Sequence, residues 1–406
     1  MRIINNKLFL GEIRADELIK KYGSPLYVYE EDKIKERYMD LAKNIRYNKL
    51  KLYYSCKANT NLEILKILRR EGAKLEVVSP GEILMGFKAG FKSCEMIYTC
   101  DNITDEELKF LIKNKILINI DSFTQLKKYS QFNPGGKIGV RINQGIGAGC
   151  HYHCITGGSQ SKFGIYFSEI EKIKSIARQY NLKIIGLHQH IGSGILDEKI
   201  FIKGIKALLA TAKEFQDLEF IDFGGGFGVP YKPEENPLNI KKMGKEIVEI
   251  FNKFCQNYGK KLIMAFEPGR YFVAEAGVLL AKVVDIKKTP FKTFIGVDSG
   301  FNHLVRPILY GAFHQILNAS SVIGPKEIVS VAGNICESGD LFAKDREIAK
   351  FKEGDTLAIL NAGAYGFSQS SNFNSRPKPA EILVKNGKSR IIRKRQRLDQ
   401  INTFWF

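Results

Sequence analysis

Four short stretches of this 406-residue chain carry side chains able to do chemistry together. The first is YYSCKANTN at 53–61, which holds one lysine, Lys57, where an apolar strand-like run stops and a helix-like pattern begins. A lysine at a strand's carboxyl end can lose its proton by desolvation and attack a carbonyl; taken alone it is also an ordinary surface lysine. The others are HQHIGSG at 188–194, DFGGGFG at 222–228 and EPGR at 267–270. Successive N–H groups at Gly224, Gly225 and Gly226 can form an anion nest. Ser193 adds a hydroxyl donor, and Gly269 and Arg270 add further donors. His190 offers an imidazole face and Glu267 a carboxylate.

Those stretches need a scaffold that brings strand ends together. Short apolar runs fall at 51–55, 74–79, 96–100, 116–121, 137–143, 184–190, 220–223 and 262–267. The first five start roughly 20 to 25 residues apart, a spacing suited to strand, helix and two loops. The next interval is longer because 144–161 is inserted. Capping-box patterns follow several runs: Ser79 with Glu82, Thr104 with Glu107, and Ser122 with Gln125. Asn59, Thr60 or Asn61 can cap the helix after Lys57. Eight such units predict a (β/α)8 barrel, an α/β fold whose active site lies at the strands' carboxyl ends. The rival is a doubly wound open sheet of fewer strands. The barrel is favoured because Lys57, Glu76, Arg141, His190, Asp222 and Glu267 all fall at or just past run ends. Its expected span is 26–275. Residues 1–25 and 276–406 are expected to form a mostly β second domain, with possible helices only near 302–309 and Asp340.

A reactive lysine, a glycine-lined phosphate corner, an imidazole and a strand-end acid point to pyridoxal phosphate. The acid would keep the pyridine nitrogen protonated, so that the ring can take up electrons. The dinucleotide fingerprint is absent in context, since no early strand, glycine-rich turn and helix occur together. His188-x-His190 suggests metal, but His151, His153, His303 and His314 lie at no run's end. The cluster Cys150, His151, His153 and Cys154 sits in the insertion with unconventional spacing, so no metal is expected.

Composition bounds the rest. The net charge of +19 is spread along the chain, which argues for a lysine-rich composition and anionic small molecules rather than nucleic acid. No apolar run reaches the ~20 residues of a membrane helix, and the start lacks a signal-peptide core, so a cytoplasmic protein is expected. Seven cysteines at irregular spacing are not a disulfide framework.

From 25 to 397 the chain resembles the alanine racemase-fold pyridoxal phosphate decarboxylases, and within them the diaminopimelate decarboxylases. The motifs are YYSCKAN, RIN, SKFGI, HQHIGSG, DFGGGFG, EPGR, RPILYGA, CESGD and AYGFSQSSNFNSRPKPAE. The resemblance implies that Lys57 forms the Schiff base and His190 stacks on the ring. It implies that Ser193, Gly226, Gly269 and Arg270 hold the phosphate, that Glu267 pairs with the ring nitrogen, and that Tyr365 touches cofactor and substrate. Arg270, Arg306 and Tyr310 would bind the substrate's carboxylates. Cys336, as proton donor, and Glu337, for the distal ammonium, would come from the partner subunit of a homodimer. A diacid needs arginines for bidentate pairing, and its ammonium needs a carboxylate. Glu76 departs from the family's usual aspartate, and Ser299 and His303 differ from commoner residues. Sibling decarboxylases acting on ornithine, lysine or carboxynorspermidine, a racemase of the same fold, and a non-catalytic pyridoxal phosphate binder are the alternatives.

Overall fold

A computed structural model describes residues 1–401. The chain divides into two compact units: 35–229 with 236–272, and 1–34 with 230–235 and 273–406.

The first unit is a closed parallel barrel. Its strands are β1 (Leu50–Ser55), β2 (Lys74–Val77), β3 (Met96–Tyr98), β4 (Leu117–Ile120), β5 (Lys137–Asn143), β6 (Lys183–His188), β7 (Phe220–Asp222) and β8 (Ile263–Phe266). Each pairs with the next, and β8 pairs with β1, which closes the ring. The expected eight runs are these eight strands. Inside, Tyr53, Ile97, Ile185, Phe220 and Ala265 pack together. Phe220 fills the space beside Gly186, where an added Cβ would lie 2.0 Å from its ring.

Helix starts follow the capping chemistry. Asn61 caps α1 (Leu62–Glu71) by accepting from the Glu63 N–H at 3.0 Å. Thr104 and Glu107 form a reciprocal box at the start of α3 (Asp105–Lys113). Ser79 accepts from the Glu82 N–H at α2 (Pro80–Ala89), but Glu82 reaches back one residue further, to the Val78 N–H at 2.9 Å. Gln125 does the same toward Asp121. Here the expected box is displaced by one residue, because the chain before each cap is still extended strand.

The second unit is built on a nine-stranded sheet. Its longest strand, β9 (Gly277–Lys288), runs antiparallel to Leu26–Glu30, which in turn lies parallel to Ala380–Lys385. Leu26–Glu30 therefore belongs to this unit, and the barrel unit begins at 35 rather than at the expected 26. Residues 1–25 hold a three-stranded sheet and the helix Ala15–Tyr22. The helix expected near Asp340 is instead a turn followed by the strand Leu341–Ala349. Asp340 fixes that turn by accepting from the Phe301 N–H at 2.7 Å and the Ile335 N–H at 2.8 Å. Among the described residues no helix is long and apolar enough to cross a membrane.

Candidate active site

The barrel's carboxyl ends gather the polar residues. Ser55, the last residue of β1, is in register with Glu76 of β2. Two residues on, Lys57 stands in a single 3-10 turn, Cys56–Ala58. From there its Nζ reaches Glu76 Oε2 at 2.5 Å. Ser55 also ties in the last strand end: its hydroxyl donates to the Glu267 carbonyl at 2.8 Å, and its N–H donates to the Pro268 carbonyl at 3.2 Å. One serine thus holds the lysine's turn against the EPGR loop.

On the facing strands, His188 aligns with Asp222, and Asp222 with Ala265, two residues before Glu267. His188 Nε2 lies 2.9 Å from Glu267 Oε2. The donor atoms of His188, Asp222 and Glu267 all fall within 4.8 Å of one another. Burial alone would raise Glu267, but the His188 charge and hydrogen bond, with Lys57 beyond, bring its carboxyl down to about 2. Asp222 goes the other way: burial first, then the Glu267 charge, pushes it well above the carboxylate range. Two adjacent buried acids are thus pushed in opposite directions, Glu267 down and Asp222 up.

His190 follows on the same loop. Its Nδ1 accepts from the Gly225 N–H at 3.1 Å, which leaves the ring proton on Nε2. Desolvation, then Arg141 and Lys57, holds the ring well below its ordinary range, so it is neutral. Ser193 Oγ meets Arg270 Nη2 at 3.0 Å. Gly224 and Gly226 have φ of +71° and +105°, and a Cβ on Gly226 would lie 2.6 Å from the Gly192 carbonyl. Only glycine keeps those backbones at that separation. The inserted segment is held by Asn143, which accepts from the Gly145 and Gly158 N–H groups at 3.0 and 3.1 Å.

The barrel unit therefore brings together Lys57, Glu76, His190, Ser193, Gly226, Glu267, Gly269 and Arg270. The other expected site residues lie in the second unit. Arg306 opens a short helix, Arg306–Tyr310, and is buried. Tyr310 Oη accepts from Gln369 Nε2 at 3.4 Å. Cys336 and Glu337 are exposed in the turn before Asp340. Tyr365 has φ of +56°, an uncommon value for a bulky side chain and one that surrounding structure must enforce.

Two residues were not assigned to the site from sequence. His188 was weighed only as a metal ligand, and Asp222 only as a run end. Their signal was position: each ends a strand next to another that ends in a charged or imidazole group.

Glu82 has a carboxyl pushed to about 7, chiefly by burial and then by the Glu76 charge. An acid raised on folding favours the protonated state, so its ionisation costs stability as pH climbs from 4.5 to about 7. Glu82→Gln keeps the acceptor for Val78 and removes that cost. The variant is expected to be more stable by about 1–3 kcal/mol above neutrality, with the gain fading toward acid pH. Urea midpoints measured across that range check it.

A family model, pyridoxal-dependent decarboxylase, pyridoxal binding domain, matches residues 31–274. The diaminopimelate decarboxylase of Methanothermobacter thermautotrophicus is 45% identical over 97% of this chain and 94% of its own length. The chain belongs to the diaminopimelate decarboxylase family. A solved member from Methanocaldococcus jannaschii, in complex with L-lysine, superposes with a TM-score of 0.91 at 31% identity, covering 99% of this chain and 96% of that one. The Helicobacter pylori diaminopimelate decarboxylase complexed with L-lysine gives 0.88 at 34% identity, over 95% and 98%. The family fixes the barrel as a fold of pyridoxal-dependent decarboxylases and the protein as a carboxy-lyase using pyridoxal phosphate. The residues present fit that cofactor: among the described residues Glu267 Oε1 is buried with no hydrogen-bond partner, and the glycine backbones form a cradle that side chains would fill.

Proposed function

We propose that the protein removes carbon dioxide from meso-2,6-diaminopimelate to give L-lysine, the last step of lysine biosynthesis, and works as a cytoplasmic homodimer. One observation carries the reading: an ionised, buried Glu267 with an open oxygen stands at the same barrel end as a single lysine paired to a buried acid.

Bound pyridoxal phosphate supplies an electron sink for the pair left when carbon dioxide departs. Lys57 would hold the cofactor through its amine. Glu76, 2.5 Å away and raised by burial, accepts the proton that Lys57 must lose to act as a nucleophile. Neutral His190 presents a flat face without adding charge. Ser193, Gly226, Gly269 and Arg270 would hold the phosphate, and Glu267 would hold a proton at the ring nitrogen. Arg306, Tyr310 and Glu337 take the distal carboxylate and ammonium, with Arg270 and Tyr365 completing substrate binding. Cys336 returns a proton to the carbon that lost carbon dioxide. The exposure of Cys336 and Glu337 suits residues offered to a partner subunit.

Support for the distal carboxylate comes from Arg306 itself. It is buried, and among the described residues it makes no ion pair. A buried cation without an anion is costly, and a ligand carboxylate offsets that cost. The test is to mix cofactor-loaded protein with meso-diaminopimelate and measure carbon dioxide and lysine together. Equal release of both is expected. A yellow protein giving neither, yet active on ornithine or lysine, overturns the substrate.

A further inference from the structure

In the second unit Arg306 sits in a buried assembly whose other members have been given no role. Arg306 is 3% exposed. Its Nη1 lies 2.8 Å from Nε2 of His314, itself fully buried. His314 Nδ1 lies 2.8 Å from the Leu360 carbonyl. A carbonyl only accepts, so Nδ1 carries the ring proton and Nε2 is left as an acceptor for the guanidinium. The guanidinium carbon lies 4.5 Å from the centre of the Tyr231 ring, and that ring meets His314 edge-on at 5.2 Å. Arg346 donates to the His314 carbonyl, which fixes the imidazole's backbone. The guanidinium is thus gripped by a neutral acceptor and an aromatic face, and neither satisfies its charge.

We propose that His314 is a positioning residue for substrate recognition. By holding its acceptor nitrogen on Arg306, it aims the guanidinium at the carboxylate that the product keeps. A decarboxylase gains nothing from an ion pair on the leaving carboxylate, because that contact is lost as the bond breaks. The retained carboxylate is therefore the one Arg306 serves. The inference rests on the reading of Arg306 as a carboxylate-binding residue.

The test uses holoenzyme and two competitive inhibitors. L-lysine retains the carboxylate; cadaverine is the same molecule without it. His314→Leu is expected to weaken inhibition by L-lysine about tenfold, the order of a hydrogen bond to a charged group, and to leave cadaverine unchanged. KM for diaminopimelate rises in parallel, with kcat changed less and the bound cofactor's absorbance unaltered. His314→Gln, which keeps an acceptor, stays within about threefold of the parent protein. Unchanged L-lysine inhibition in folded His314→Leu overturns the proposal, as does equal weakening toward cadaverine. If the leucine variant does not fold, His314→Gln decides: a full tenfold loss there also overturns it. Arg306→Gln separates the two levels. If it leaves L-lysine inhibition unchanged, the carboxylate reading of Arg306 is what fails.

Discussion

Lys57→Ala is expected to lower turnover by at least about 10⁴-fold and to abolish the visible absorbance of covalently held cofactor, with the fold intact. The loss follows from position. Lys57 is the lysine at the barrel's strand ends paired with a buried carboxylate, and its Nζ is 2.5 Å from Glu76. The fold survives because the side chain is 36% exposed and sits on a single turn past β1. Glu76, left behind, protonates instead of standing as a bare buried charge, since burial already pushes it up. Lys57→Arg fails as well: a guanidinium stays protonated and is no nucleophile. Circular dichroism, cofactor absorbance and carbon dioxide release separate these outcomes. Substantial turnover in either variant would sink the assignment of Lys57.

The second large effect belongs to Glu267→Gln, expected to lower kcat by about 10²- to 10³-fold while cofactor still binds. Glu267 accepts from His188 through Oε2 and keeps Oε1 without a partner. Its carboxyl is held to about 2, so it stays ionised throughout the working pH range. An amide of the same shape has no charge with which to keep a proton on a ring nitrogen. The depressed acid also contributes stability that is present above 4.5 and lost as pH falls toward 2, and the amide variant lacks that slope. Single-turnover measurement with matched cofactor loading decides the case. A kcat within threefold of the parent protein would show that the ionised carboxylate is not used.

Strand ends were legible because a parallel barrel forces them to converge. Once eight apolar runs were counted, Lys57, His190, Glu267 and Arg270 had to share one rim. The second unit was less legible. Leu341–Ala349 reads LFAKDREIA, and its charged centre hides a strand that lies at the sheet's edge, where one side stays in water. Leu26–Glu30 falls inside the span expected for the barrel but pairs in the second unit's sheet, since its partners begin at 277 and 380 and no local pattern points there. The grip of His314 on Arg306 was equally hidden: eight residues separate them, but the short helix and its left-handed Gly311 turn are what bring them face to face. Sequence periodicity reports which face is buried, not which distant strand covers it.

The placing of Leu26–Glu30 between β9 and Ala380–Lys385 has a consequence for synthesis. This strand leaves the ribosome roughly 350 residues before its second neighbour, Ala380–Lys385. At about 5–20 residues per second, Leu-Tyr-Val-Tyr-Glu waits roughly 20 to 70 s for that neighbour. Every one of its residues is buried in the finished sheet. The nascent chain therefore carries a β-prone, aromatic segment with both hydrogen-bonding edges open until residues 277–280 have been made. That makes it the natural point for a chaperone to hold, and the natural seed for association between neighbouring nascent chains.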